Sequence, residues 1–500
     1  MTRRIAAILG AVVLLCAMLA PAMGDQEAPD YIMEGYDGDG ASHIWDTNLF
    51  FDRMQEKTGI SFQFRQISDF DQWKERKKGI AEGEDLPDVM FKAALTAGEI
   101  RDLYEAGILI DLRPYLEEHA PSLWALLQEH EDWMEAITLA DGAIPALPNF
   151  NELQNNDVMW INRDWLDRLK LETPRTAEEL TEVLRAFRDG DPNRNGKKDE
   201  VPLTFIGMWE LRFLAHAFGI IDNDDYVTAK DGVVLSGLTS EENRSFLTWL
   251  HELWEEGLID RNGFQMMDSL RQITDEKTTI PYGMMLSTSP LTIVPSAALS
   301  QFEVLDPLEY NGRKEYRDLL GNVVRGAFAI TKDCKEPEKL VAWVDTLYTE
   351  EGSRLAQCGL EGEEYQWNED GYWEWIADLT TVANEILPMC TISEGGTAPG
   401  ITKADFQLKY ADRTARENME QLYRVKQYAV MPYPCVIMTR EDENRANEIR
   451  AELEPWAEEQ MACFVTGDVE LNDESWAEFT RTAKEKGLDE LVGIMQKYIK

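Results

Sequence analysis

The sequence predicts an α/β protein of two or more packed lobes, exported from the cytoplasm. Three observations carry that expectation. A chain of 500 residues is too long for one compact core, and 44% hydrophobic residues suffice to build more than one. Strand-like and helix-like stretches alternate along it at the spacing of parallel crossovers. A single short apolar segment stands at the extreme N-terminus.

That segment reads "MTRRIAAILGAVVLLCAMLAPAMG". Arg3 and Arg4 form a positive n-region, Ile5 to Leu19 an apolar h-region, and Ala22-Met23-Gly24 a small-residue cleavage pattern, so residues 1–24 are an export signal. Cys16 reads as an apolar member of the h-region, because Leu15 before it is too bulky for lipoprotein cleavage; a lipid anchor at Cys16 is the alternative. Nothing else in the chain approaches the length of a membrane span. Five other cysteines (Cys334, Cys358, Cys390, Cys435, Cys463) are odd in number and lack C-x-x-C spacing, against a zinc ribbon and a full disulfide framework. The five histidines are scattered. With 93 acidic against 49 basic side chains, the net charge of -44 repels nucleic-acid backbones and anionic membranes.

From Gly59, "GISFQF" alternates Ile60, Phe62 and Phe64 with polar or small residues, the period of a half-buried strand. "WKERKKGIAEGEDLPDVMF" follows as a charged helix, a turn and the apolar run Val89-Met90-Phe91. After "ADGAIPALPNFN" the pattern restarts with a strand before Asn162 and two helices. The second of these helices opens on Thr176 and Glu179, a capping box, and its stripe is Leu180, Val183, Leu184 and Phe187. "GLTSEENRSFLTWLHELWEEGLID" is another capped amphipathic helix, and Pro337 suits the first turn of a helix after "RGAFAITKDCKE". At the C-terminus Leu488, Leu491, Val492 and Met495 form a stripe that docks the tail. No internal repeat or low-complexity linker interrupts the chain.

Between the helix ending near Phe187 and the next strand lies "RDGDPNRNGKKDEVP". Counted from Asp191, side-chain oxygens fall at the first, third, fifth and ninth positions as Asp191, Asn193, Asn195 and Asp199. Gly196 is sixth, where a calcium loop turns sharply, and Lys197 offers its carbonyl at the seventh. The twelfth position is Pro202, so the bidentate carboxylate of an EF-hand falls to Glu200, the tenth residue. A solvated turn is the plainer reading, since Asp-Pro and Asn-Gly both favour turns. Five oxygen-bearing side chains in this order favour calcium, bound as a structural rivet.

The stretch "NRDWLDRLKLETPRTAEELTEVLRAFRDGDPNRNGKKDEVPL" resembles the exported solute-binding proteins of bacterial ABC transporters, in particular the family 1, LipO-like and oligosaccharide-binding members that carry this calcium loop. "GEDLPDVMF", "LYTEEGSRLAQCGLEGEEYQWNEDG" and "FVTGDVELNDESWAEFTRTAKEKGLDEL" extend the resemblance over nearly the whole mature chain. It implies a two-lobed, periplasmic-binding-protein-like type II fold with ligand in the interlobe cleft, and it carries the calcium ligands onto Asp191, Asn193, Asn195, Lys197, Asp199 and Glu200. The expected division is 25–150 plus about 300–345 for the N-terminal lobe, and 151–299 plus about 346–500 for the C-terminal lobe. Many Gram-positive members have a lipobox cysteine, which Leu15 spoils here.

Sugar binding needs flat aromatic faces against the apolar side of a pyranose and short polar groups for its hydroxyls. Trp160 before "NRDWLDRL", Trp209 in "FIGMWELRF", Ser287 and Thr288 after "YGMML", and Tyr433 in "VMPYPCV" are the candidates, with core packing as the plainer role of each. The expected function is an extracytoplasmic receptor, a monomer that binds a carbohydrate and delivers it to ABC permease subunits, without nucleic acid and without catalysis. The rival is a secreted glycoside hydrolase, which needs two carboxylates about 5–10 Å apart across a cleft. An adhesion scaffold would show repeats, and none is present.

Overall fold

The computed structural model describes residues 29–40, 43–265, 267–275, 277–319 and 321–499. The export signal 1–24 and Cys16 lie outside the described residues. Ten strands build the two large sheets: β1 (Tyr31–Tyr36), β2 (Phe62–Ile67), β3 (Val89–Phe91), β4 (Ala146–Asn151), β5 (Val158–Asn162), β6 (Val201–Thr204), β7 (Tyr282–Ser287), β8 (Phe302–Val304), β9 (Val323–Ile330) and β10 (Gly400–Thr402). The first sheet has the order β10-β4-β9-β3-β1-β2, with only β9 antiparallel to its neighbours. The second has the order β8-β5-β7-β6, in which β6 and β7 are parallel and β5 runs against both β7 and β8.

Helices cover both sheets, so β3 and β5 are apolar runs buried along their whole length, as strands covered on two faces must be. The strand expected at "GISFQF" begins later, at Phe62, because β2 is an edge strand and only half buried. The stripe Leu180, Val183, Leu184 and Phe187 is buried against Trp165 and Leu203 in the core of the second lobe. Its cap is half of the expected box: Thr176 Oγ1 accepts the Glu179 N–H at 3.2 Å, while the Glu179 carboxylate turns to the Arg175 N–H at 2.8 Å. The C-terminal stripe is docked, with Leu488, Leu491 and Met495 in the same core and Val492 packed against it.

The division between lobes differs from the sequence expectation at two places. Residues Phe302–Val304 add to the second sheet through β5, not to the first lobe. Strand β10 hydrogen-bonds alongside β4, and Tyr348, Leu355, Ile392 and Ile401 sit in the first-lobe core, so the segment after residue 346 stays with the first lobe as far as β10. A three-residue strand carries no periodic signal, and the residues of β10 pair with residues 251 positions earlier in the chain; only pairing assigns it.

Three chain crossings join the lobes, after β4, before β9 and after β10, and all leave from one edge of the first sheet. That edge carries the carboxyl ends of its parallel strands. The first crossing enters the second sheet at the start of β5, beside the carboxyl ends of β7 and β8. These two edges therefore bound the interlobe cleft, the place where open α/β sheets bind ligands. The lobes also touch where the helix Ala97–Glu105 leaves the β3 edge. There buried Arg101 donates to the Met438 carbonyl at 2.8 Å and pairs with Glu443 at 2.7 Å, and Ile437 packs with Leu139 and Ala143.

Candidate functional site

The floor of the cleft is the set of crossings, and polar groups bind them together. Lys426 Nζ donates to the carbonyls of Glu152 at 3.2 Å and Gln154 at 2.7 Å and to the side-chain oxygen of Asn322. One ammonium thus joins the first and second crossings to the helix that follows the third; burial pulls its pKa down. Asn156 bridges the first two crossings, donating to the Arg317 carbonyl at 2.8 Å and accepting the Leu319 N–H at 2.9 Å. Glu152 holds the third, pairing with Lys403 at 2.9 Å and accepting the Ala404 N–H at 2.9 Å.

On the first-lobe edge a charged cluster fills the carboxyl ends of β1 and β3. Lys92 is ion-paired with Asp37, both buried, and donates to the Glu394 carbonyl at 2.7 Å. His43 lies 3.2 Å from Asp37 and 3.5 Å from Glu394, and Gln66 donates to Asp37 at 3.0 Å. Burial opposes the charge on Asp37, but His43 and Lys92 outweigh it and hold its carboxyl below the usual range; burial also lowers Lys92. Lys92 and Ala94 adopt left-handed φ values of 50° and 46°, strain of the kind concentrated at functional edges. Beyond the cluster, exposed Phe70 opens the helix Phe70–Ala81 that follows β2, and Asp39 accepts its N–H at 2.7 Å. Sequence reasoning passed over these residues, because their partners are distant in the chain; polar residues ending each parallel strand were the available signal.

The five residues expected to hold ligand separate into two groups. Trp209 is 41% exposed, in a short helix after β6, at the cleft edge of the second lobe. Gly207 precedes it at φ 65°, where a Cβ would stand 3.0 Å from the Trp209 ring, so glycine lets the indole fold back over the turn. Thr288 is exposed at the end of β7. The other three are turned inward. Trp160 is 0% exposed, its Nε1 donating to the Ser287 carbonyl at 3.0 Å, so its faces are spent on the core. Buried Ser287 is satisfied by Ser289 and Thr292, each at 2.8 Å. Tyr433 is buried and donates its hydroxyl to the Met495 carbonyl at 2.7 Å. Trp160 and Ser287 are core because helices and loops cover both faces of β5 and β7, and Tyr433 is core because it packs in the second-lobe cluster beneath the C-terminal helix.

Beside Trp209, Glu210 is buried and gripped by Arg271 at 2.9 and 2.6 Å, and it accepts the Ile206 N–H at 2.8 Å. Burial pushes its carboxyl up to about 7 against the pull of Arg271. The pair fixes the turn that presents Trp209 and leaves Glu210 no open face toward a substrate.

The loop from Asp191 is coiled by its own side chains. Asp191 accepts the N–H groups of Asn195 at 3.1 Å and Gly196 at 3.3 Å, and Asn195 accepts the Lys197 N–H at 2.7 Å. Asp199 accepts from the amides of Asn193 at 3.0 Å and Asn195 at 2.8 Å, which hold its carboxyl below the usual range. Glu200 has a buried Oε1 with no hydrogen-bond partner among the described residues, and burial, with Asp191 and Asp199 nearby, raises its pKa. Among the described residues no three acidic, histidine or cysteine side chains are gathered closely enough to hold a metal ion. An all-oxygen donor set around an orphaned carboxylate oxygen nevertheless fits a hard divalent cation.

No protein-family model matches the chain. It is 28% identical over 487 residues to the fructooligosaccharide ABC transporter substrate-binding protein FusA of Streptococcus pneumoniae, covering 90% of this chain and 86% of that one. The chain is a homologue of ABC-transporter substrate-binding proteins. A second such homologue is lipoprotein LipO of Bacillus subtilis, 23% identical over 312 residues, 57% of this chain and 58% of LipO. The structure of FusA in complex with kestose superposes with a TM-score of 0.71 at 24% identity, over 94% of this chain and 98% of the solved chain. FusA has also been solved as an EF-hand mutant in complex with fructo-nystose, at 25% identity and a TM-score of 0.71. An extracellular solute-binding protein from Bifidobacterium longum subsp. infantis gives 0.79 at 20% identity, over 94% and 97% of the two chains. The fold is that of type II solute-binding proteins. The five described cysteines are free thiols, and no described helix is long and apolar enough to cross a membrane.

Proposed function

We propose that the protein is an exported receptor that binds a carbohydrate between its lobes and delivers it to an ABC permease, without catalysing a reaction. The likeness to a fructooligosaccharide-binding homologue over nine-tenths of the chain carries this reading. The facing sheet edges supply the site: Trp209 as an aromatic platform with Thr288 beside it, opposite Phe70, Asp39 and Glu394 of the first lobe. A ligand that touches both lobes stabilises the closed form by its differential affinity for it. The hydrolase alternative gains nothing from Glu210, whose acid-like carboxyl is locked to Arg271 away from solvent.

Calcium belongs to the same reading as a structural ion, held by Asp191, Asn193, Asn195, the Lys197 carbonyl, Asp199 and Glu200. Bound there, it would supply the charge that leaves Glu200 ionised and would pin the end of the helix Ala177–Asp189 to the start of β6. Export follows from residues 1–24, and secreted material is expected to begin near Asp25; a diacylated Cys16 would point to the lipid anchor instead.

The test is a panel of oligosaccharides titrated into the purified protein, followed by calorimetry and tryptophan fluorescence. One saturable binder that is recovered intact supports the receptor. Release of shortened sugars would assign the protein to the hydrolases.

A further inference from the structure

A cavity of about 540 Å³ opens in the second lobe, within the range of small-molecule pockets at about 300–1,000 Å³. Its walls are the turn at Gly219, the hairpin strand Val227–Lys230, the hairpin Glu309–Lys314 and the strand Ala429–Val430. The last of these pairs with Tyr316–Arg317, directly ahead of the second crossing, and the Asp318 N–H donates to the Val430 carbonyl at 2.8 Å. The cavity therefore lies against the strand pair that leads into the second crossing.

Its lining has two unusual properties. Tyr310 lies against Gly219, which sits at φ 82° and where a Cβ would come within 2.5 Å of the ring, so glycine is required for this aromatic wall. Around it, the side chains of Lys230, Asn311, Arg313 and Glu315 make no hydrogen bond or ion pair among the described residues. Lys314 of the same hairpin, outside the cavity, is paired with Asp306 at 3.0 Å. Exposed Met431 and Val430 complete an apolar patch. One ring, one apolar patch, and open planar donors and acceptors of both signs match a sugar ring with its hydroxyls. Glu315 and a net charge of -44 oppose an anionic chain.

We propose that this cavity is a second carbohydrate subsite, holding a distal residue of a neutral oligosaccharide whose other end occupies the interlobe cleft. It rests on the carbohydrate-receptor reading and makes the receptor sensitive to chain length. Tyr310 supplies the platform, and Asn311, Arg313 and Glu315 engage hydroxyls.

The experiment is calorimetric titration of the mature protein with inulin-type and malto-oligosaccharide series, from disaccharide to hexasaccharide. Tyr310→Ala is expected to weaken the longest binder about tenfold and to leave the shortest unchanged. Arg313→Ala, whose side chain supports nothing in the fold, should show the same length dependence and guards against misfolding of the hairpin. Losses equal at every length, or no loss at any length, overturn the second subsite while the receptor stands. Failure of every sugar to bind the parent protein overturns both, and is distinguished by that parent result.

Discussion

Replacing Lys426 by methionine is expected to loosen the hinge, and the structure sets the size of the effect. The ammonium donates to three acceptors on two crossings, the Glu152 and Gln154 carbonyls and the Asn322 side chain. A hydrogen bond from a charged donor contributes about 1.5–3 kcal/mol, and bonds that share one donor group do not add. Relief of the burial that lowers the Lys426 pKa offsets part of the loss. The net destabilisation expected is about 2–4 kcal/mol, because methionine fills the volume and leaves the acceptors unpaired. Urea unfolding followed by tryptophan fluorescence measures it, with Lys335→Met, an exposed lysine remote from the crossings, as control. Affinity for the identified sugar should change as well, since closure bends the same segments. A Lys426→Met protein with the stability and affinity of the control would refute the hinge role.

Trp160→Ala should destabilise the fold by about 3–5 kcal/mol, the scale for emptying a buried tryptophan site, whereas Trp209→Ala should weaken sugar binding by about 1–3 kcal/mol with little effect on unfolding. Chelation should lower the melting temperature of the parent protein and calcium restore it, and Asp199→Ala should abolish that response together with metal content; saturation at about 100 times the dissociation constant corresponds to about 2.7 kcal/mol. Burial holds the His216 imidazole at about 4, with Nδ1 donating to the Phe213 carbonyl at 2.8 Å and Nε2 accepting the Leu308 N–H at 3.0 Å. Its folded pKa lies below the unfolded value of about 6.5, so its contribution is complete above that pH and is lost as pH falls through about 4. Between about pH 7 and about pH 4.5 the parent should therefore lose about 2.5 kcal/mol more than His216→Gln in denaturant titrations at both pH values.

What the sequence by itself determined was local. The stripe of the helix Ala177–Asp189, the cap at Thr176, the docked C-terminal helix and the oxygen spacing of the loop from Asp191 are all set within a dozen residues. Periodicity and turn chemistry report such features directly. The family resemblance added the two-lobed architecture. Tertiary structure alone decided which of the two tryptophans is exposed: Trp160, in the middle of β5, is enclosed by its pairing with β7 and the cover on both faces, whereas Trp209, in the short helix after β6, stays 41% exposed. It decided that β10 belongs to the first lobe, since a three-residue strand is defined by its neighbour. The same holds for Lys426, whose partners lie 274, 272 and 104 residues away in sequence, and for Asp37 with Lys92. Ion pairs and hinge contacts form between positions brought together by sheet topology, and no local pattern in a single chain encodes which positions those will be.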